Sequence, residues 1–158
     1  MSVSLSSIRL TAMNILATRE HSKKELSDKL LKKYDQNNDD EINSLITLLL
    51  EQLIADNLLN EHRFVETFIR SKRRKGVGPV KIRHELVQKG IESELISDYL
   101  SDISNEEWLD EIKNQRIKKY GKELPSDNKD IIKQSRFLYQ RGYPVDLINC
   151  VLYSKDIY

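Results

Sequence analysis

Residues 84–100 read HELVQKGIESELISDYL, and residues 136–152 read RFLYQRGYPVDLINCVL. Set in register, Leu86 meets Leu138, Gln88 meets Gln140 and Gly90 meets Gly142. Leu95 meets Leu147, Ile96 meets Ile148 and Leu100 meets Leu152, while Lys89 faces Arg141 and Glu94 faces Asp146. The matches fall at helical spacing on either side of a glycine, a residue that ends helices by adopting the left-handed conformation at little cost. A recurring helix–glycine–helix unit constrains the fold strongly, because each copy must bury its apolar stripe against a neighbour. A chain built this way is expected to work through surface and shape rather than through one pocket.

The rest of the composition agrees with a helical reading. Only 5 Gly and 3 Pro interrupt a chain of 158 residues that is 32% charged and 39% hydrophobic. That is enough apolar material for a thin core in a very polar protein. The formal net charge of +1 gives no global attraction to nucleic acid, so any such binding must come from local segregation of charge. The single Cys150 excludes an intrachain disulfide framework and fits a reducing cytosol; it is expected as a half-buried, inert thiol. The start, MSVSLSSIRLTAMNIL, lacks a basic segment followed by a long apolar run, so no signal peptide is expected. The most apolar stretch, Leu45 to Ala55, is broken by Glu51 and Gln52 and is too short to span a bilayer. A cytoplasmic location follows as the expectation.

Nine or so helices in three trios can be read along the chain. Ser6 to Arg19 forms the first, with Ile8, Ala12, Ile15 and Leu16 on one side. Ser22-Lys23-Lys24-Glu25 is a capping box opening a helix that turns Leu26 and Leu30 inward and ends near Tyr34. After the polar turn Asp35-Gln36-Asn37-Asn38, a third helix runs to about Asn57 with Ile42, Leu45, Ile46, Leu49, Leu50 and Leu53 on a broad apolar face. The second trio comprises Asn60 to Lys75, a helix opened by Pro79 with Val80, Ile82, Leu86 and Val87 inward, and Ile91 to Ile103. The third opens with the capping box Ser104-Asn105-Glu106-Glu107, sets Trp108, Ile112, Gln115 and Lys119 along one side, and closes at Gly121. Asp127 then caps a helix through Ile131, Ile132, Phe137 and Leu138, and Pro144 begins the last, with Leu147, Ile148 and Val151 inward. No window alternates at period two, so no sheet is expected. The expected fold is all-α, an elongated, curved array of three tandem three-helix repeats spanning 1–59, 60–103 and 104–158.

Catalytic chemistry finds little support. His21, His62 and His84 sit in separate helices or turns without an i, i+4 partner or a Cys companion, so no metal site is expected. Gly76-Val77-Gly78-Pro79 lacks the Gly-Lys-Ser/Thr ending of a phosphate loop, and Pro79 removes an amide donor, so it reads as a turn. No nucleophile has an identifiable helper and no carboxylate pair stands out. No catalytic residue, no cofactor and no enzymatic activity are expected.

The electrostatic signal is sharper. Arg70, Lys72, Arg73, Arg74, Lys75, Lys81 and Arg83 fall between Thr67 and His84, with no Asp or Glu among them. Cations at a helix C-terminus favour the macrodipole, but each gains only about 0.3–1 kcal/mol, and the cations at positions 72–75 exceed what capping needs. These seven residues are the candidate site for a nucleic acid or an acidic protein groove. Among the aromatics, Phe64, Phe68, Trp108 and Phe137 are spaced as core, while Tyr139 and Tyr143 are half-exposed candidates that alone fall short of a base-stacking platform.

From about Ala12 to Leu152 the pattern resembles the RecX family of bacterial RecA regulators. Arg19-Glu20-His21-Ser22-Lys23-Lys24-Glu25-Leu26 is similar to the family's R-x-x-S-x-x-E-L start, and Asn57 through Phe64 to its GYLDD-x-x-F stretch. Arg70 through Gly78 with Ile82, Glu85, Leu86 and Gly90 resembles R-x-x-x-x-G-x-x-x-I-x-x-E-L-x-x-KG, and Arg136 through Tyr143 resembles the RFLxRRGF ending. The resemblance implies tandem three-helix repeats. It also implies binding along the groove of a RecA–DNA filament, with loss of RecA's ATP hydrolysis, strand exchange and co-protease activity. It names the RecA nucleoprotein filament as partner. Apart from the resemblance, the basic run sets the expectation of contact with acidic groove walls or with single- or double-stranded DNA directly, and a monomer is expected. The chain departs from the pattern at Asn57 and Asn60, where Gly and Asp are usual, and at Gln140, where a second Arg is usual. Gln140 thins the positive charge near the third repeat.

The rival reading is a helical DNA-binding transcriptional regulator. It needs a recognition helix with base-reading side chains near its N-terminus, whereas the helices opening at Pro79 and Pro144 begin with apolar residues. A helical scaffold for some other protein is the second rival.

Overall fold

A computed structural model describes residues 3–35 and 37–153 of the chain. Among the described residues there are nine helices and no strand. They are α1 (Leu5–Leu16), α2 (Lys23–Tyr34), α3 (Asp40–Ala55), α4 (Glu61–Arg74), α5 (Pro79–Gln88), α6 (Ser93–Ser101), α7 (Asn105–Tyr120), α8 (Asn128–Gln140) and α9 (Val145–Leu152). The expected turn at Asp35–Asn38 is described apart from Gln36, which lies outside the described residues. The chain divides into two compact units: Met1–Thr67 with Val87–Glu92, and Phe68–Leu86 with the chain from Ser93 onward. α4 therefore opens in one unit and closes in the other.

In the first unit α1, α2 and α3 pack against one another in all three pairings. Ile8, Ala12, Leu26, Leu30, Ile46, Leu49, Leu50, Leu53 and Leu59 form one buried cluster. Burial of each Leu or Ile contributes about 1.5–3 kcal/mol, which is what holds short helices together here. The Ser22 hydroxyl accepts from the Glu25 amide at 3.1 Å, and Glu25 Oε1 accepts from the Ser22 amide at 3.1 Å. The same carboxylate takes Arg19 Nη2 and Lys89 Nζ, each at 2.9 Å on Oε2. Burial would raise its pKa, but hydrogen bonds from Arg19, Lys89 and the Ser22 amide bring it down to about 2. The capping-box glutamate thus also anchors the turn that follows α5, where Lys24 Nζ donates to the Gln88 carbonyl at 3.1 Å.

Two local features depart from the sequence reading. α1 stops at Leu16 rather than Arg19, because the Thr18 amide donates to the Ile15 carbonyl at 3.2 Å, three residues back instead of four, and the Thr18 hydroxyl donates to the same carbonyl at 2.7 Å. Asn57 takes φ +59°, the left-handed conformation that Asn tolerates better than most residues, and so fills the usual glycine's place at the end of α3. Asn60 accepts from the Arg63 amide at 3.0 Å and caps α4 as an aspartate would.

The second unit buries Ile82, Leu86, Ile96, Trp108, Ile112, Leu138, Tyr143, Ile148 and Val151, and α7, α8 and α9 pack in all three pairings. Its two proline-ended turns interlock. The Gly78 amide donates to the Arg141 carbonyl at 2.8 Å, and the Val80 amide to the Gly142 carbonyl at 2.9 Å. A Cβ on Gly78 would lie 2.4 Å from the Gly142 carbonyl carbon, so this position admits glycine because the backbones touch. Gly142 has φ +97°, and a Cβ there would lie 2.4 Å from Lys81 Cβ. α5 buries Ile82 and Leu86, while Val80 and Val87 are exposed, correcting the inward placement of both; an i, i+4 pair fills the contact, and the two valines fall to either side of it. Ile132 is also exposed, with Ile131 turned further inward. Cys150 is exposed rather than half-buried.

Charged and polar groups enter both cores. Arg116 is 3% exposed and donates to the Glu123 and Lys122 carbonyls, both at 3.0 Å, closing the loop between α7 and α8. The stripe on α7 runs Trp108, Ile112, Arg116, whereas Lys119, expected along that side, is exposed. His21 is fully buried; its Nδ1–H donates to the Arg19 carbonyl at 3.0 Å and its Nε2 accepts from Lys29 Nζ at 2.7 Å. That arrangement requires a neutral ring, and burial, with the charges of Arg19 and Lys29, lowers its pKa below 6.5.

Two predictions follow from this packing. Gly78→Ala should destabilise the protein by about 1–3 kcal/mol through overpacking, while Val80→Ala stays within about 0.5 kcal/mol; urea denaturation followed by circular dichroism measures both. For His21 the unfolded chain binds the extra proton, so its contribution is complete above pH 6.5 and shrinks as pH falls below that value. The Glu25 contribution is complete above about pH 4.5 and is lost on the way down to about 2. Stability should therefore fall between pH 7 and pH 5, before carboxylates protonate. His21→Gln should flatten that part of the profile, and an unchanged slope would show that the ring is protonated when folded.

Candidate anion-binding surface

The basic run lies at the end of α4 and the start of α5, and the fold gives its members different tasks. Lys72 Nζ pairs with Glu85 at 3.3 Å and sits 5.4 Å from the Phe68 ring centre. Arg73 lies over the Trp108 ring at 5.1 Å, with Nε 2.7 Å from Glu111 and Nη2 4.0 Å from Glu107. Burial pushes the Glu111 carboxyl above its ordinary pKa, and the Arg73 hydrogen bond works against that push. Beside this pair the Tyr143 ring meets Trp108 edge-on at 6.4 Å, and its hydroxyl is shifted upward by burial and by the Glu111 charge. Lys72 and Arg73 thus hold α4 to its neighbours. Arg83 donates to Ser97 Oγ at 3.1 Å, Lys81 is exposed beside Gly142, and Arg70 is exposed on α4.

Arg74 and Lys75 are the members that reach a site. Both are exposed, and they line a cleft of about 350 Å3 together with Lys118 and Lys119 from the end of α7 and Arg141 from the end of α8. Gln115 and Phe137 complete the lining, and no carboxylate is among these residues. Three helix C-termini deliver the five cations. The negative ends of the helix dipoles and the aromatic face of Phe137 offset part of their mutual repulsion. Lys119 Nζ lies 4.1 Å from the Phe137 ring centre and the Arg141 guanidinium 5.6 Å, while Tyr120 meets the same ring edge-on at 5.7 Å. Arg141 also donates a long bond to Gln115 Oε1 at 3.5 Å. The interlocked turns bring Arg141 to α4: the carbonyl that accepts from Gly78 belongs to Arg141 itself.

Such a cleft can hold closely spaced anionic oxygens. Five cations converging with no compensating acid favour phosphates or a dense carboxylate surface, and an Arg fork can bind either in a bidentate manner. Of the seven residues singled out by sequence, the structure gathers Arg74 and Lys75 and leaves Arg70, Lys72, Arg73, Lys81 and Arg83 outside the cleft. Sequence reasoning missed Lys118, Lys119 and Arg141, although each follows the same rule, a cation in or just past the last turn of a helix. Among the described residues no group of three or more His, Cys, Asp or Glu side chains is placed to hold a metal ion, and no helix is long and apolar enough to cross a membrane.

Known proteins share this architecture. Family models for the first, second and third three-helix domains of RecX match residues 9–46, 60–100 and 105–152. The regulatory protein RecX of Pseudomonas putida strain W619 is 36% identical over 150 residues, covering 95% of this chain and 92% of the relative. That of Halorhodospira halophila is 33% identical over 150 residues, covering 94% of this chain and 88% of the relative. The crystal structure of RecX from Lactobacillus salivarius superposes with a TM-score of 0.77 at 22% identity, covering 94% of each chain. A second crystal structure, of a regulatory protein RecX, gives the same TM-score at 19% identity, covering 95% of this chain and 72% of that one. With all three domain models matched in order and relatives at this identity along nearly its whole length, the chain belongs to the RecX family.

Proposed function

We infer that this chain restrains a RecA-type recombinase by lodging in the groove of the RecA–DNA filament, acting as a cytoplasmic, non-enzymatic monomer. Occupying that groove hinders the incoming duplex and the subunit motions linked to ATP turnover. ATP hydrolysis, strand exchange and co-protease activity therefore fall together. The observation that carries this reading is the cleft of Arg74, Lys75, Lys118, Lys119 and Arg141, a surface suited to an anionic polymer on a chain whose relatives are named regulatory proteins. With a net charge of only +1, attraction is confined to such a patch, which suits docking at a defined place better than general coating of nucleic acid. Arg70, Lys72, Arg73, Lys81 and Arg83 belong to the surrounding positive field, with Lys72 and Arg73 supporting it from within their ion pairs. A transcriptional regulator is disfavoured because α9 opens with Pro144, Val145 and Asp146, which offer no base-reading cation.

Charge reversal tests the reading at the two exposed residues. Arg74→Glu with Lys75→Glu should weaken restraint of RecA ATP hydrolysis at least about tenfold in the concentration required, with an unchanged circular dichroism spectrum. Arg73→Glu should instead unfold part of the second unit, since it sets a carboxylate against Glu111 and Glu107. Full restraint by a folded Arg74→Glu, Lys75→Glu variant would remove the cleft from the mechanism.

A further inference from the structure

The cleft at the ends of α4, α7 and α8 concentrates more charge than a polymer lying across it can neutralise. Among the described residues, Arg74, Lys75, Lys118, Lys119 and Arg141 form no ion pair, whereas Lys72 and Arg73 on the same stretch of α4 are paired with Glu85 and Glu111. The space the five cations enclose, about 350 Å3, has the dimensions of a small-ligand site rather than of a track. One strand of a duplex sets a phosphate about every 3.4 Å along its axis, so a cleft roughly 7 Å on an edge meets about two of them. Most of the cations would then stay unmatched. A linear triphosphate brings roughly four negative charges within the same length.

The lining also fixes part of this charge in place. Gln115 Cδ lies 2.3 Å from where a Cβ on Gly76 would stand, so α7 touches the turn that ends α4. The Gln115 Oε1 accepts from Arg141 Nη2 at 3.5 Å. Lys119 Nζ and the Arg141 guanidinium both take the Phe137 ring, at 4.1 Å and 5.6 Å from its centre. Two of the five cations are thus positioned before any ligand arrives, which lowers the cost of ordering them on binding. Phe137 is the one aromatic side chain of the lining, and those two cations already occupy it. Recognition therefore falls on phosphate oxygens and not on a base. We propose that this cleft binds a linear polyphosphate, either free or as the tail of a nucleoside triphosphate. Its consequence for regulation rests on the proposed function: a filled cleft cannot engage the filament, so polyphosphate releases the recombinase from restraint.

The full chain is titrated by calorimetry with inorganic tripolyphosphate, ATP, orthophosphate and adenosine at about 0.15 M salt. Tripolyphosphate should bind at one site per chain, at least about tenfold more tightly than orthophosphate, and adenosine should not bind. Lys118→Gln with Lys119→Gln, and Arg141→Gln alone, should each weaken binding at least about tenfold with an unchanged circular dichroism spectrum. Lys81→Gln with Arg83→Gln removes as much charge outside the cleft and should change affinity less than about threefold. Absence of saturable binding, equal affinity for orthophosphate, or equal losses from the two double variants would each overturn the proposal and leave the filament reading untouched. Tripolyphosphate as tight as ATP supports recognition of the phosphate chain from either source, and ATP at least about tenfold tighter supports the nucleotide as the source. Tripolyphosphate is then added to RecA, single-stranded DNA and the lowest ATP that sustains hydrolysis, with RecA alone as baseline. Hydrolysis restrained by the chain should recover as tripolyphosphate rises. Restraint that persists with the cleft saturated would support the binding site but overturn both its regulatory role and the filament contact assigned to the cleft.

Discussion

Two backbone hydrogen bonds between glycine turns determine where the charge of this protein goes. Gly78 and Val80 donate to consecutive carbonyls, those of Arg141 and Gly142, at a distance no side chain on Gly78 would allow. A hydrogen bond of this kind contributes only about 0.5–1.5 kcal/mol on its own. Its larger effect is positional. It fixes the end of α4 against the end of α8, so Arg74 and Lys75 share a cleft with Arg141, Lys118 and Lys119. Like charges gathered this closely are unfavourable by themselves and need a rigid frame that permits no retreat. The frame is supplied by the Trp108–Tyr143 contact, the Arg73–Glu111 pair and the Phe137 ring under Lys119.

The first unit is held by different means. Its leucine-rich cluster supplies the bulk of the stabilisation, and one carboxylate, Glu25, joins the N-terminus of α2, the preceding turn and the turn after α5. A capping box is usually local. Here the glutamate accepts a distant lysine as well, so a single side chain ties segments 64 positions apart. Buried, neutral His21 beside it gives this unit a dependence on pH that the second unit does not share through the same groups.

Much of the fold was legible in the sequence because its signals are local. Both capping boxes, the Asp127 cap, the prolines at 79 and 144 and the helix-ending glycines each place a boundary from neighbouring residues alone. The apolar stripes of α2, α3 and α9 could be read in the same way. The candidate site was only half legible. The run from Arg70 to Arg83 looks like one patch in sequence, but burial turns Lys72 and Arg73 inward to Glu85 and Glu111, which no spacing rule announces. Lys118, Lys119 and Arg141 join the cleft through tertiary contact. Arg116 and His21 were hidden for a related reason. A polar residue enters a core only where carbonyls or a partner side chain await it, and those partners are set by loops.

The chain belongs to the RecX family, and we propose that its positively charged cleft acts on a nucleoprotein polymer rather than on a small substrate. Titration of the full chain into a mixture of RecA, single-stranded DNA and ATP, with phosphate release followed continuously, tests this most directly. Hydrolysis should fall in a saturable manner as the chain is added, and the effect should weaken as salt is raised. Hydrolysis that continues undisturbed at saturating concentrations of the folded chain would contradict the account.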